Sequence, residues 1–128
     1  MATRTFTDFD PTFLPHPTTG DLLLRVDDRA IKFAVKSLVL TNFYEKPFHP
    51  EIGTSVKSLM FDNFGDMFNI VMSETIANII SIYEPRVTVT SVDVSSVYDE
   101  HRANIVINFI IKNTTTPLSV AITLNRTR

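Results

Sequence analysis

The chain has 128 residues and a mass of 14.5 kDa, so we expect one domain with a single core spanning residues 1–128. Apolar residues make up 44% and charged residues 20%, a composition that excludes disorder of the whole chain. Fourteen acidic and twelve basic residues leave no excess of positive charge for binding nucleic acid. Cysteine is absent, which excludes disulfides and zinc–thiolate sites, and no apolar run approaches the ~18 residues of a membrane span.

The N-terminal part of the chain is predicted to be irregular. Prolines interrupt residues 1–20, and each proline removes a backbone donor and favours an extended residue before it. Because aromatic residues lie between these prolines, we expect an extended arm that lies across a surface. A turn at Thr18–Gly20 and a short extended segment over Asp21–Val26 follow.

An amphipathic helix is predicted over residues 28–41. Ile31, Val35 and Val39 recur at helical spacing, so they share one face. Asp27-Asp28 supplies candidates for the N-cap, where the helix dipole favours negative charge.

The helical part is predicted to extend over residues 28–84 and to include a loop and two further helices. The loop, Asn42–Gly53, contains two prolines. A short helix then ends at Phe61, and a longer one covers Asp66–Tyr83. We expect the longer helix to be the most buried, because its apolar stripe is wide, and to end before Pro85.

An antiparallel sheet is predicted over residues 86–125, because the apolar period there changes to two. The phase slips near Thr90-Ser91, which favours a bulge or a change of face. Two further alternating runs, Ile105–Ile111 and Leu118–Leu124, complete a three-stranded meander. The predicted fold class is therefore α+β, with an N-terminal arm and helices packed on a small C-terminal antiparallel β-meander.

Catalytic motifs are missing from the sequence. There is no nucleophile elbow or phosphate-binding loop, and the three histidines lack metal-ligand spacing. Glycoside hydrolysis needs two carboxylates at a fixed separation, one with a raised pKa, and no carboxylate pair stands in a recognisable setting. We therefore predict no catalytic residue, no metal and no cofactor, with a glycosidase as the alternative.

Glu84, Pro85 and Arg86 form the first candidate binding feature. Proline extends the residue before it, and residues two apart in an extended chain point to the same side. Arginine is suited to bidentate pairing with a carboxylate. Three interpretations stay open: the two charges clamp a partner, clamp each other, or are simply solvated beyond a helix end.

The last predicted strand is the second candidate binding feature. It consists of Leu118, Ser119, Val120, Ala121, Ile122, Thr123 and Leu124. If this strand lies at the edge of the sheet, it presents unpaired backbone groups with no charge or proline to discourage pairing. It then either accepts a strand from another chain or is covered by the N-terminal arm or a helix.

A set of short stretches occurs in an order typical of one known family. The stretches are Asp10-Pro11-Thr12-Phe13, Thr19-Gly20-Asp21-Leu22, Asp27-Asp28 with Ala30-Ile31-Lys32, Leu38-Val39 with Thr41-Asn42-Phe43-Tyr44-Glu45, Pro47-Phe48-His49-Pro50-Glu51-Ile52-Gly53 and Tyr83-Glu84-Pro85-Arg86-Val87. This order resembles the small baseplate wedge proteins of T-even-type contractile phages. That family also includes sheath-initiator subunits of other contractile tails and of type VI secretion systems.

The resemblance implies a structural role in the tail baseplate of a virion, after assembly in the host cytoplasm. It implies six copies per baseplate, one in each wedge. From composition and motifs we expect no cofactor and no contact with membrane or nucleic acid. The implied partners are other wedge proteins, tail sheath subunits, and neighbours in the tail tube or baseplate hub.

The resemblance also implies roles for both candidate features. Glu84, Pro85 and Arg86 are expected to bind the helical core bundle of the wedge. Leu118–Leu124 is expected to template the first sheath ring by sharing strands. Members of the family have also carried a lysozyme label, so a peptidoglycan-cleaving glycosidase is the alternative function.

Overall fold

The computed structural model describes residues 6–61, 67–97, 99–112 and 114–126. Its elements are β1 (Thr7–Phe9), β2 (Leu24–Val26), α1 (Asp28–Leu40), α2 (Val56–Leu59), α3 (Phe68–Tyr83), β3 (Val87–Val97), β4 (Arg102–Ile111) and β5 (Pro117–Asn125). β1 and β2 form one antiparallel sheet, and β3, β4 and β5 form another in that order. The predicted α+β class with a C-terminal antiparallel meander is confirmed.

The three-stranded sheet buries one of its faces beneath the helices. Alternate residues of the central strand β4 are buried from Ala103 to Ile111, as in a sheet with one face in the core. α3 packs against β3, and α1 packs against β5. Ile31 and Val35 of α1 and Ile76 of α3 are fully buried in the same cluster. The core therefore lies between a helical layer and one sheet face.

β3 contains the irregularity that the phase slip predicted. Its register against β4 shifts between Val89 and Ser91, which is the signature of a bulge. Because of the extra residue, Val89 and Val92 both pack against the core although they are three positions apart. The bulge therefore lets apolar residues on both sides of the phase slip face the same core.

The N-terminal segment forms a hairpin where the sequence predicted an irregular arm. β1 pairs with β2, placing Thr7 opposite Val26, and Gly20 in the connection has a positive φ of 71°. Asp27 occupies the predicted N-cap position of α1, but its side chain makes no cap bond to the helix. Instead Asp27 Oδ1 accepts a hydrogen bond from the Phe6 N–H at 3.2 Å. Asp27 therefore links the hairpin to α1.

α3 has a narrower buried stripe than its sequence predicts. It begins at Phe68, and the predicted start at Asp66 lies outside the described residues. Met67, Ile70 and Ile82 are 64%, 50% and 68% exposed, on the side that faces away from the sheet. α3 thus presents apolar side chains on two faces, of which only one packs on the core. None of the helices in the described ranges has the length and apolar character needed to cross a membrane.

The loop between α1 and α2 is fastened to the end of α1. Thr54 Oγ1 donates to the Val39 carbonyl oxygen at 2.8 Å, and the Thr54 N–H donates to the Thr41 carbonyl oxygen at 2.8 Å. The last carbonyls of a helix lack donors within the helix, so Thr54 satisfies one of them. Gly53 has a φ of 155°, and a Cβ added there would lie 2.6 Å from the Asn42 carbonyl carbon and oxygen. This close approach of two backbone segments requires glycine.

Replacing Gly53 with alanine is expected to lower the free energy of unfolding by about 2 to 3 kcal/mol, because backbone atoms must move apart. Gly20→Ala is the matched control, since φ is 71° there but the space around an added Cβ is open. The control is expected to lower the free energy of unfolding by about 1 kcal/mol, because alanine is strained in a left-handed conformation. Urea unfolding followed by far-ultraviolet circular dichroism measures both values, and equal losses would show that the approach of Gly53 to Asn42 is not tight.

Candidate functional site

The first candidate surface is the junction between α3 and β3. Glu84 is the C-cap of α3, and its N–H donates to the Ile80 carbonyl oxygen at 2.9 Å. Pro85 follows and has no N–H with which to continue the helix. Arg86 then leads directly into β3. The tripeptide therefore sets the direction in which the chain leaves the helix and enters the sheet.

Arg86 holds Glu84 in a two-pronged ion pair. Nε lies 2.6 Å from Glu84 Oε1, and Nη2 lies 2.9 Å from Oε2. The Glu84 side chain is 8% exposed and the Arg86 side chain 27% exposed. Hydrogen bonding to Glu84 raises the pKa of Arg86, although partial burial opposes this shift. Of the three interpretations of this tripeptide, the structure therefore shows the mutual clamp, and Glu84 is not a solvated charge.

Arg86 also connects the junction to the N-terminal hairpin. Its Nη1 lies 3.8 Å from Asp8 Oδ2, and its guanidinium carbon lies 5.4 Å from the centroid of the Phe6 ring. The Arg86 carbonyl oxygen accepts a hydrogen bond from the Lys112 N–H at 2.9 Å. At 3.8 Å the contact to Asp8 is electrostatic and too long for a hydrogen bond. Nη1 therefore has donor capacity left for a further acceptor.

A cleft of about 520 Å³ lies beside this junction, and Glu45 and Glu84 both line it. The two oxygens of Glu45 accept hydrogen bonds from the backbone N–H and the side-chain amide of Asn42, and the backbone bond lowers the pKa of Glu45. Glu84 is paired with a guanidinium. A glycosidase needs one carboxyl group in apolar surroundings that keep it protonated. Neither carboxylate of this cleft has such surroundings.

The second candidate surface is the free edge of β5. β5 pairs with β4 from end to end, with Val120 opposite Ile107, and no other strand in the described ranges pairs with it. The N-terminal segment, one of the predicted covers, pairs with β2 instead. α1 packs against β5 and lines a groove beside Ser119–Ala121. Buried Val120, Ile122 and Leu124 alternate with exposed Ser119, Ala121 and Thr123. Backbone groups at such an edge are available to a strand from another chain.

Sequence reasoning missed the contacts that surround Arg86. Asp8 and Phe6 contact Arg86 from the N-terminal segment, far away in sequence, and no periodicity or motif indicates such a contact. Sequence reasoning also missed the exposed aromatic residues of the loop between α1 and α2. Tyr44 and Phe48 are 85% and 97% exposed, and both have positive φ. Pro47 and Pro50, which exclude regular structure around Phe48, were the sequence signal that could have indicated this exposure.

Among the described residues, no group of three or more histidine, aspartate or glutamate side chains is arranged to hold a metal ion. The two candidate surfaces thus consist of one partly exposed guanidinium and one free strand edge. Both are suited to contacts between proteins.

Comparison with protein families gives a match to the family described as baseplate wedge protein gp25, over residues 25–116. Baseplate wedge protein gp25 of Enterobacteria phage T4 is 25% identical to this chain over 108 residues, which are 84% of this chain and 81% of that protein. The family match includes Glu84, Pro85 and Arg86 and stops one residue before β5 begins.

Three solved structures share the fold at 15% to 18% sequence identity. A Geobacter sulfurreducens protein provisionally named a tail lysozyme has a TM-score of 0.70 and 18% identity, covering 77% of this chain and 89% of that one. A chain of the anti-feeding prophage baseplate has a TM-score of 0.65 and 15% identity, covering 92% and 83%. A chain of the postcontracted pyocin R2 baseplate has a TM-score of 0.65 and 17% identity, covering 84% and 99%.

The likenesses to solved structures establish the fold, and the sequence match establishes the family because it spans well over half of the chain. The chain belongs to the gp25 family of baseplate wedge proteins, structural components of contractile-tail baseplates.

Proposed function

We propose that this chain attaches to the helical core bundle of a baseplate wedge through Glu84, Pro85 and Arg86, and templates the first sheath ring through β5. The chain is a structural component of a virion tail baseplate by family membership. The observation that carries the finer proposal is the free edge of β5 beside a packed core. One copy would serve each wedge, giving six per baseplate, with further contacts to the tail tube or the hub.

The attachment role is supported by the way Arg86 is held. Its pair with Glu84 fixes the guanidinium plane, and the Phe6 ring lies beside it. A fixed guanidinium loses little conformational freedom when a partner supplies an acceptor. Nη1 and the second N–H of Nη2 have donor capacity left, so the partner is expected to present a carboxylate or a carbonyl oxygen there.

The templating role is supported by the regularity of β5. The strand is nine residues long and pairs with β4 without any shift of register. Its buried and exposed residues alternate, so an added strand that shifts by one residue would turn its apolar side chains away from the core. Tail sheath subunits are the proposed donors of that strand.

We further propose that the chain catalyses no reaction. The alternative, a peptidoglycan-cleaving glycosidase, requires a carboxyl group in apolar surroundings. In the cleft, Glu45 instead accepts hydrogen bonds from Asn42, and Glu84 is paired with the guanidinium of Arg86. The likeness to the tail lysozyme structure is at 18% identity and concerns the fold alone.

Arg86→Lys is expected to abolish most wedge incorporation, because lysine keeps the charge but cannot form the fork with Glu84. The same change is expected to lower the free energy of unfolding by about 1 to 2 kcal/mol. Co-expression with the other wedge proteins, followed by gel filtration, measures incorporation, and urea unfolding measures stability. Arg102→Lys is the matched control, since Arg102 pairs with Glu100 at 2.6 Å on the surface. Incorporation of Arg86→Lys at the level of this control would refute the attachment role.

Proline in β5 tests the templating role. Successive N–H groups of a strand point to opposite edges, so one of Val120→Pro and Ala121→Pro removes a bond to β4 and the other removes an outward donor. The variant that keeps the native circular dichroism spectrum is expected to join wedges but to start few sheaths, counted by electron microscopy. Ala121→Thr, which keeps the N–H at the same exposed position, is expected to start sheaths normally. Normal sheaths on baseplates that contain the folded proline variant would rule out strand sharing.

A further inference from the structure

The free edge of β5 borders a groove of about 750 Å³ between α1, β2 and the middle of the strand. Ser119–Ala121 form its β5 wall, and one face of α1 forms the facing wall. Arg29, Lys32 and Lys36 lie on that face, three and four residues apart, and therefore project together. A strand added to β5 in this region would lie alongside these three side chains.

The groove is basic although the whole chain has a formal charge of -2. Its cationic lining residues are Arg25, Arg29, Lys32 and Lys36, against Asp10 as the one acidic lining residue. Asp10 already forms an ion pair with Arg25, whose Nε lies 2.9 Å from Asp10 Oδ2. Within the described ranges, Arg29, Lys32 and Lys36 form no ion pair. Three positively charged side chains beside an open strand edge are thus available for ion pairs with another chain.

The groove also has an apolar floor. Leu24, Phe33 and Leu40 line it, and Leu24 is 52% exposed. Arg25 lies over the Phe33 ring at 4.6 Å, which fixes the aromatic ring at one end. A bound segment therefore needs apolar as well as anionic side chains on the side that faces α1.

We infer that the segment added to β5 is an acidic β-strand of a different protein, selected by the basic face of α1. The inference rests on the strand addition proposed above and specifies the chemistry of the incoming chain. Asp or Glu at groove-facing positions would pair with Lys32 and Lys36, and an apolar neighbour would cover Leu24. A second copy of this chain does not fit, because edge-to-edge pairing of two β5 strands would bring two basic grooves together.

The basic face of α1 also accounts for selectivity at an edge that has no protection of its own. The exposed residues of β5, Ser119, Ala121 and Thr123, carry no charge that would reject a wrong strand. Charge on a neighbouring helix supplies this rejection without interrupting the backbone groups that pair. Neutral and basic strands would gain the same backbone bonds but lose the ion pairs or meet repulsion.

The test is a titration of the full ¹⁵N-labelled chain with nine-residue peptides that share one Val and Thr framework and carry Glu, Gln or Lys at alternate positions. The Glu peptide is expected to shift the amide signals of residues 118–124 and of α1, and to bind about tenfold more tightly than the Gln peptide. The Lys peptide is expected not to bind. The advantage of the Glu peptide is expected to shrink as added salt screens the charges.

Charge reversal on α1 provides the matched variants. Lys32→Glu with Lys36→Glu is expected to remove the preference for the Glu peptide. Lys57→Glu with Lys112→Glu makes the same change in net charge outside the groove and is expected to leave the preference intact. Loss of the preference in both double variants would overturn the inference, because the preference would then follow net charge alone.

The remaining outcomes separate this inference from the proposal on which it rests. Equal binding of the Glu and Gln peptides at residues 118–124 overturns the selection of acidic strands and leaves strand addition standing. Binding of the Glu peptide to α1 without shifts in residues 118–124 overturns strand addition itself, as does the absence of binding by all three peptides. Displacement of the Glu peptide by an equimolar ten-nucleotide single-stranded DNA overturns the assignment to a protein strand.

Discussion

The guanidinium of Arg86 holds together parts of the chain that are far apart in sequence. It pairs with Glu84 at the end of α3 and lies beside the ring of Phe6 in the N-terminal segment. The backbone carbonyl oxygen of Arg86 also accepts a hydrogen bond from the N–H of Lys112, which follows β4. A carboxylate as little exposed as Glu84 is tolerated only with a charge partner. This pair therefore fixes how the chain leaves α3, and with it the position of the whole sheet against the helices.

The sheet has two edge strands, and they differ in their suitability for pairing. The register of β3 is broken between Val89 and Ser91, and a bulge twists an edge away from regular pairing. β5 has no such break along its contact with β4. The same irregularity that lets Val89 and Val92 both face the core thus leaves β5 as the more regular edge. α1 lies along this strand and can therefore influence what joins it.

Local periodicity was sufficient to predict most elements, but not what they contact. The spacing of Ile31, Val35 and Val39 predicted α1, and the phase slip predicted the bulge in β3. α3 has apolar residues on two faces, and spacing alone does not say which face packs; Met67 and Ile82 are exposed. The pairing of β1 with β2 depends on contacts across a long loop, which carry no local signal. For the candidate site, spacing placed Glu84 and Arg86 on one side, whereas the burial of Glu84 required the surrounding fold.

The loop between α1 and α2 holds the backbone of two exposed aromatic residues in an uncommon conformation. Phe48 is 97% exposed at a φ of 65°, and Tyr44 is 85% exposed at a φ of 68°. A left-handed conformation costs a non-glycine residue about 1 to 2 kcal/mol, so the loop must be stabilised by other contacts. Hydrogen bonds from the Tyr44 N–H to the Pro50 carbonyl and from the Tyr83 hydroxyl to the Glu51 carbonyl supply them. Because these hydrogen bonds already constrain the loop backbone, a neighbour that covers the two rings would gain their apolar area at a smaller ordering cost.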